Sequence, residues 1–256
     1  MSRSITIKNN QAPSGVGVAI FARVWALWSA VWFVITMFIF LIPFYCCFLF
    51  KEPKRSRFSY PVFRLWMQVY LPLIGVFVKI KGKENFKEGK NYIVVCNHNT
   101  LMDVPVSCTK IPGPNKTIAK IEMSRVPIFG TLYKLGSVLV DRKDKDSRRN
   151  SFIQMKAVLD MGLHMCIYPE GTRNKTNEPL KEFHTGAFKL AVDTNKEILP
   201  AVLFGTNKVF PNNKTFYLLP GIIEFHFLPA ITPGDNVETL KQNVFDLMWK
   251  HYAENN

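Results

Sequence analysis

Residues 92–103 read Tyr-Ile-Val-Val-Cys-Asn-His-Asn-Thr-Leu-Met-Asp. Five apolar residues run directly into a polar loop. A short unbroken apolar run of this kind suits a strand buried on both faces, as in a sheet covered by helices. The loop beyond the carboxyl end of such a strand is where α/β sheets place reactive groups. Pro105 follows closely and fits an early helical position. The stretch therefore predicts a strand, a functional loop and a helix.

Working outward, further strands are expected at 76–80, 137–140, 165–168, 198–204 and 222–227, each a short apolar or β-branched run. Residues 147–161 form the clearest helix. Phe152, Met155, Val158 and Leu159 follow its 3.6-residue period, and Gly162 suits the position after its end. Residues 185–195 and 237–253 are further helices. Strands alternating with helices predict an α/β fold, a mixed, mostly parallel sheet flanked by helices. About 175 residues are enough for one good core. There is no internal repeat and no long linker.

The amino-terminal part is different. Residues 24–50 are 27 uncharged positions with three Trp and six Phe. A helix of ~20 apolar residues crosses a ~30 Å hydrocarbon core. This run can span, with tilt or a kink at Pro43 absorbing the excess. It is too long for a cleaved signal peptide, and no small-x-small site follows it. Residues 65–78, 14 uncharged positions broken by Pro72, predict an interfacial or re-entrant helix. Between the two runs lie Lys51, Lys54, Arg55, Arg57 and Arg64, with only Glu52 opposing. Basic residues there suit anionic headgroups at ~1 kcal/mol each. They favour a cytoplasmic side, against which Arg3, Lys8 and Arg23 count. The expected division is hydrophobic membrane-anchoring helices over 1–80 and an α/β domain over 81–256.

Composition narrows the partners. The 256 residues carry a formal net charge of +14, which favours anionic ligands. Much of the excess flanks the apolar runs, and no zinc-finger, RNP-type or basic-zipper pattern appears, so no nucleic-acid partner is expected. With 48% hydrophobic residues the chain is not a disordered tail. The five cysteines, Cys46, Cys47, Cys96, Cys108 and Cys166, have no Cys-x-x-Cys spacing, so neither a disulfide framework nor a zinc site is expected. Asn-x-Thr sequons at Asn115, Asn174 and Asn213 would matter only in a secretory lumen.

Three constellations carry chemistry. In the first, 97–103, His98 and Asp103 are five residues apart and could not meet on one helix face. They can meet if His98 lies in the loop and Asp103 in the first helical turn. An Asp-oriented imidazole is a general base, since the carboxylate fixes one ring nitrogen and frees the other. The alternative is a strand-end histidine in a local hydrogen bond. The second is Tyr168-Pro169-Glu170-Gly171-Thr172-Arg173, again after an apolar strand. Gly171 permits a tight turn, and Arg173 offers a planar fork to a phosphate or carboxylate. A capped turn with a surface ion pair is the alternative. The third spans 120–142, with Lys120, Glu122, Gly130, Gly136, Asp141 and Arg142, and taken alone a solvated basic face is its simpler explanation. Cys96 is not expected to be a nucleophile, because it sits within the buried strand. His164, His184, His226 and His251 show no recognisable partners.

Together these boxes resemble the glycerolipid acyltransferase superfamily, most closely its 1-acyl-sn-glycerol-3-phosphate (lysophosphatidate) acyltransferase type. The likeness rests on Asn97-His98-x-x-x-x-Asp103, the Glu170-Gly171-Thr172-Arg173 box about 70 residues later and the Ile198-Leu199-Pro200 strand. It runs from about residue 76 to 230. Thr100 departs from a frequent Ser, and His184 from a frequent Lys.

The resemblance implies a glycerol-phosphate-acyltransferase-like fold. It also implies transfer of an acyl group from acyl-CoA or acyl carrier protein to the sn-2 hydroxyl of lysophosphatidic acid, giving phosphatidic acid. His98 would be the base and Asp103 its orienter. Arg173 and Lys120 would hold the phosphate, Gly171 and Thr172 would shape that site, Glu170 would anchor the turn, and Arg142 is a further basic candidate. No metal or cofactor is implied beyond the acyl thioester. Membrane lipids are expected partners, with the catalytic domain on the cytoplasmic face, a bacterial inner membrane ahead of the endoplasmic reticulum. A glycan on Asn174 would obstruct the phosphate site. The rival readings are the same reaction on another lysophospholipid, an amino-acid lipid or glycerol 3-phosphate, and a non-catalytic membrane lipid-binding protein.

Overall fold

The structure is a computed structural model and describes residues 13, 15–176 and 178–255. Seven strands form one sheet: β1 (Val76–Lys81), β2 (Ile93–Cys96), β3 (Asn115–Lys120), β4 (Ser137–Val140), β5 (His164–Ile167), β6 (Ile198–Phe204) and β7 (Gly221–Phe227). Their order is β1-β7-β6-β2-β5-β3-β4, and every neighbouring pair is parallel except β6–β7. The helices are α1 (Val16–Cys47), α2 (Lys54–Leu73), α3 (Asp103–Lys110), α4 (Phe129–Gly136), α5 (Lys145–Asp160), α6 (Gly186–Thr194), α7 (Thr206–Val209) and α8 (Val237–Asn255).

Alternation along β2 divides the core. Val94 and Cys96 face a cluster with Trp66, Met67, Tyr70 and Leu71 of α2, whereas Ile93 and Val95 face the α5, α6 and α8 side. Both faces are covered, which is why β2 reads as an unbroken apolar run.

α5 starts where Asp144 accepts hydrogen bonds from the N–H groups of Asp146 and Ser147, an N-cap. β3 is the strand that apolar patterning misses. Its sequence is Asn-Lys-Thr-Ile-Ala-Lys, with Lys116 buried and Asn115 half-buried, and both side chains have specific partners. Lys116 pairs with Glu52 at 2.7 Å, and the Asn115 amide donates to the carbonyls of Cys108 and Gly113. Those bonds leave Asn115 no room for a glycan. α4 escapes notice because glycines bracket it. A Cβ on Gly130 would stand 2.2 Å from the Ser124 carbonyl oxygen, so the chain needs glycine there.

The run 65–78 is not one interfacial helix. It is the end of α2, a turn at Gly75 with φ +68°, and the start of β1. Pro72 has no N–H to donate back to the preceding turn, its carbonyl accepts the Gly75 N–H at 2.9 Å, and glycine accepts the left-handed backbone that releases the chain into the sheet. β1 pairs with β7, so the sheet begins at Val76 and not after residue 80.

α1 and α2 form an antiparallel hairpin. Phe33 meets Trp66 and Tyr70 with ring centroids 5.4 Å apart, and Phe44 meets Phe63 at 4.4 Å. Buried polar atoms pair across it: Ser29 Oγ with Tyr70 Oη at 2.8 Å, and Trp66 Nε1 donating to Thr36 Oγ1 at 2.9 Å. Trp25 and Trp28 donate to the Ile74 and Leu73 carbonyls, so the indoles close the open end of α2. α1 is long and apolar enough to cross a membrane.

Candidate active site

The carboxyl ends of β2, β3, β4, β5 and β6 all lie on one edge of the sheet, because these strands run in parallel. His98, Lys120, Arg142 and the 169–173 loop follow or end those strands and therefore gather at that edge.

The loop after β2 is built by side chains bonding to backbone. Asn97 is buried and treats Leu203 as a strand partner: its Nδ2 donates to the Leu203 carbonyl at 3.0 Å and its Oδ1 accepts the Leu203 N–H at 2.7 Å. Pairing with β6 thus continues one residue past β2. Thr100 Oγ1 accepts the Met102 N–H at 3.1 Å, a turn that the hydroxyl of serine would also make. Asp103 opens α3, where a negative charge is favoured by the helix dipole.

Asp103 is wholly buried, and its Oδ2 accepts three hydrogen bonds: from the N–H of Asn99 at 2.5 Å, the N–H of Thr100 at 2.7 Å and His98 Nδ1 at 2.8 Å. An oxygen that accepts two backbone N–H groups presents no proton, so the imidazole carries its proton on Nδ1. Nε2 then keeps its lone pair and has no partner among the described residues. The His98 side chain is 16% exposed, enough to be reached from the sheet edge.

The second loop grips the backbone of the first. Glu170 Oε1 accepts the N–H of His98 at 2.8 Å, its Oε2 accepts the N–H of Lys181 at 3.1 Å, and the His98 carbonyl accepts the N–H of Asn174 at 2.6 Å. Both backbone groups of His98 are held. Burial, helped by the Asp103 carboxylate, pushes Glu170 up to about 7 against the pull of those two N–H groups. Glu170 is 2% exposed and braces the two loops, in keeping with a residue that anchors the turn.

Gly171 has φ +69°, and a Cβ there would meet the His184 ring at 2.7 Å. Its carbonyl accepts a hydrogen bond from Arg142, which joins the end of β4 to the loop. Thr172 is exposed, and its Oγ1 accepts from Lys181 Nζ at 2.8 Å. Arg173 is half-buried and makes no hydrogen bond or ion pair among the described residues, so its guanidinium is free for an anion. Lys120 shares the edge and is exposed, but bonds to none of the other site residues.

Sequence reading missed Asn174, Lys181 and Asn212. Asn212 Nδ2 donates to the carbonyls of Asn99 at 3.0 Å and Asn174 at 2.6 Å, clamping both loops at once. No local signal marks it, since its partners are 113 and 38 residues away. No role for Tyr168 is evident in the sequence, but its ring stacks on His98 with centroids 4.4 Å apart.

Three other histidines do have partners. His164 Nδ1 accepts the Tyr92 N–H at 3.0 Å, and burial pushes it down to about 4. His226 lies between Glu224 at 2.8 Å and His251 at 2.9 Å, on the far side of the sheet from α2.

The Acyltransferase family matches residues 77–204, half of the chain. A 1-acyl-sn-glycerol-3-phosphate acyltransferase of Helicobacter pylori is 30% identical over 186 residues, 72% of this chain and 77% of that protein. One of Cocos nucifera is 33% identical over 184 residues, 71% of this chain and 56% of that protein. The chain spans 64%, 49% and 56% of the first three curated relatives it matches. The crystal structure of the 1-acyl-sn-glycerophosphate acyltransferase PlsC from Thermotoga maritima has the same fold, with a TM-score of 0.78, 22% identity, and coverage of 92% of this chain and 96% of that one.

Proposed function

The chain belongs to the Acyltransferase family, and on that premise we propose that it moves a fatty acyl group from an acyl thioester to the sn-2 hydroxyl of lysophosphatidic acid, with His98 as general base. The carrying observation is the imidazole held at Nδ1 by Asp103, with Nε2 at the sheet edge unpartnered among the described residues.

Nε2 takes the proton of the acceptor hydroxyl as its oxygen bonds to the thioester carbonyl carbon. The tetrahedral species collapses by breaking the carbon–sulfur bond, and the leaving thiolate recovers the proton from the imidazolium. A thiol has a pKa near ~8.5, so the leaving group needs little acid help. Activation of the hydroxyl contributes typically ~10²–10⁴, and holding both substrates supplies much of the rest. Arg173 would bind the acceptor phosphate with its free fork, and Lys120 would add charge from the end of β3. Arg142 and Thr172 would shape the same rim while holding the loop.

The α1–α2 hairpin would seat this edge at a membrane, where an acceptor with a long acyl chain resides. The exposed apolar side chains of α1 and the cations Lys51, Lys54 and Arg57 fit an anionic bilayer surface. The donor would be acyl-CoA or acyl carrier protein.

The test is product formation by the purified chain in detergent, with acyl-CoA and then acyl carrier protein as donor, across lysophospholipids of differing headgroup and glycerol 3-phosphate. Phosphatidic acid from lysophosphatidic acid alone is the expected result. Product from another acceptor would reassign the substrate, and none from any pair would remove the catalytic reading.

A further inference from the structure

α3 presents Asp103 and Ser107 one helical turn apart, so both side chains leave the same face. Asp103 takes His98 by the edge of its ring, at Nδ1. Ser107 takes Tyr168: the Ser107 and Tyr168 hydroxyl oxygens are 2.5 Å apart. Tyr168 in turn lies flat against His98, with ring planes inclined by 29°. Ser107 also donates to the Val104 carbonyl at 3.3 Å, which leaves its lone pairs to accept from the phenol. Burial, followed by the nearby thiols of Cys166, Cys108 and Cys96, pushes the Tyr168 hydroxyl well up, so it stays a neutral donor.

We propose that Tyr168 is a positioning residue for His98, its ring fixing the plane of the imidazole and its hydroxyl tied by Ser107 to the helix face that presents Asp103. This rests on the reading of His98 as the base. One hydrogen bond at Nδ1 fixes an edge and leaves the ring free to rock about that bond. Rocking carries Nε2 out of line with the acceptor hydroxyl, and a misplacement near 1 Å can cost roughly 10²-fold in rate. The Tyr168 face blocks it from below. The contact also strengthens along the reaction, because the imidazole becomes cationic as it takes the proton and an aromatic face attracts a cation. A phenylalanine over an alanine would fill the same space without polar groups to satisfy. The buried hydroxyl pair instead selects one ring orientation.

The experiment compares Tyr168→Leu, Tyr168→Phe, Ser107→Ala and the Phe/Ala double variant in the full chain, with His98→Ala as control. Tyr168→Leu should lower kcat on the order of 10²-fold, with donor and acceptor KM within about twofold. Tyr168→Phe should restore most of that rate. Its residual loss should match that of Ser107→Ala and of the double variant, because all three break one bond. Wild-type kcat in Tyr168→Leu, or a loss that only follows the folded fraction or appears in KM, would overturn the proposal. If Tyr168→Leu does not fold, the other three decide: equal, non-additive losses in kcat support the role, and wild-type kcat in all three overturns it. An active His98→Ala would remove the base itself, a failure distinct from that of Tyr168.

Discussion

At the carboxyl edge of the sheet, Asn97, Asn99, Thr100, Asp103, Glu170 and Asn174 are buried polar side chains, whereas on α1 the apolar Val24, Ile39 and Ile42 are 62%, 64% and 73% exposed. Each region inverts the usual rule for its surroundings. The edge tolerates buried polarity because Asn97, Asp103, Glu170 and Asn174 take or give backbone hydrogen bonds, which fix the loops around His98. α1 tolerates exposed apolarity only if something other than water covers it. On the proposed reading one inversion would supply precision and the other location, so substitutions should separate them.

The largest effect should come from Asp103→Asn. The three donors on one oxygen need an acceptor, and an amide in its place can present a hydrogen to the imidazole and impose the wrong tautomer. Turnover should fall by roughly 10²–10⁴ in an assay of thiol release, with the helical circular dichroism retained. A few-fold change would mean that the buried polarity is only structural.

Arg173→Ala should raise the acceptor KM by roughly 30–100-fold, the loss of a charge-assisted phosphate contact of ~2–3 kcal/mol, and leave the donor KM unchanged. A rise in donor KM would place Arg173 at the thioester instead. For α1, Ile39→Glu with Ile42→Glu should weaken binding to anionic vesicles by about 10²-fold or more in a flotation assay, since burying each isoleucine contributes ~1.5–3 kcal/mol. Thermal stability in detergent should barely move, because neither side chain packs in the core. A stability loss equal to that of a core substitution would show that α1 is covered by protein and not by lipid.

The smallest effect is a pH slope. The folded carboxyl of Glu170 lies above its unfolded value, so its contribution is full below the ordinary carboxylate range and is lost as pH rises through about 7. Glu170→Gln stays neutral and leaves one N–H unpaired at every pH. Melting temperatures from pH 5 to 8 should show the wild-type advantage over Glu170→Gln shrinking as pH rises. A growing advantage would mean that the backbone N–H groups outweigh burial.

The same contrast explains what was legible in the sequence. Regions that obey a simple pattern could be read: the doubly buried β2 and β6, the 3.6-residue period of α5, and the apolar α1. The meeting of His98 with Asp103 was legible because loop-then-helix was the one local geometry that allowed it. β3 was not, since its polar pattern gives no apolar run and Lys116 is buried by virtue of Glu52, 64 residues away. The run 65–78 misled because uncharged residues can end a helix and begin a strand with no change in hydropathy; only Gly75 marks the switch. Asn212 and the Ser107–Tyr168 pair were hidden for the same reason as β3, their partners being fixed by the fold and not by spacing.

The most direct measurement is free-thiol release from acyl-CoA in the presence of lysophosphatidic acid, by the wild-type chain and His98→Ala at matched folded content. A loss on the order of 10²–10⁴ in turnover, with near-UV circular dichroism unchanged, is the predicted result. A folded His98→Ala chain that turns over within a few-fold of wild type would contradict the assignment of His98 as the base.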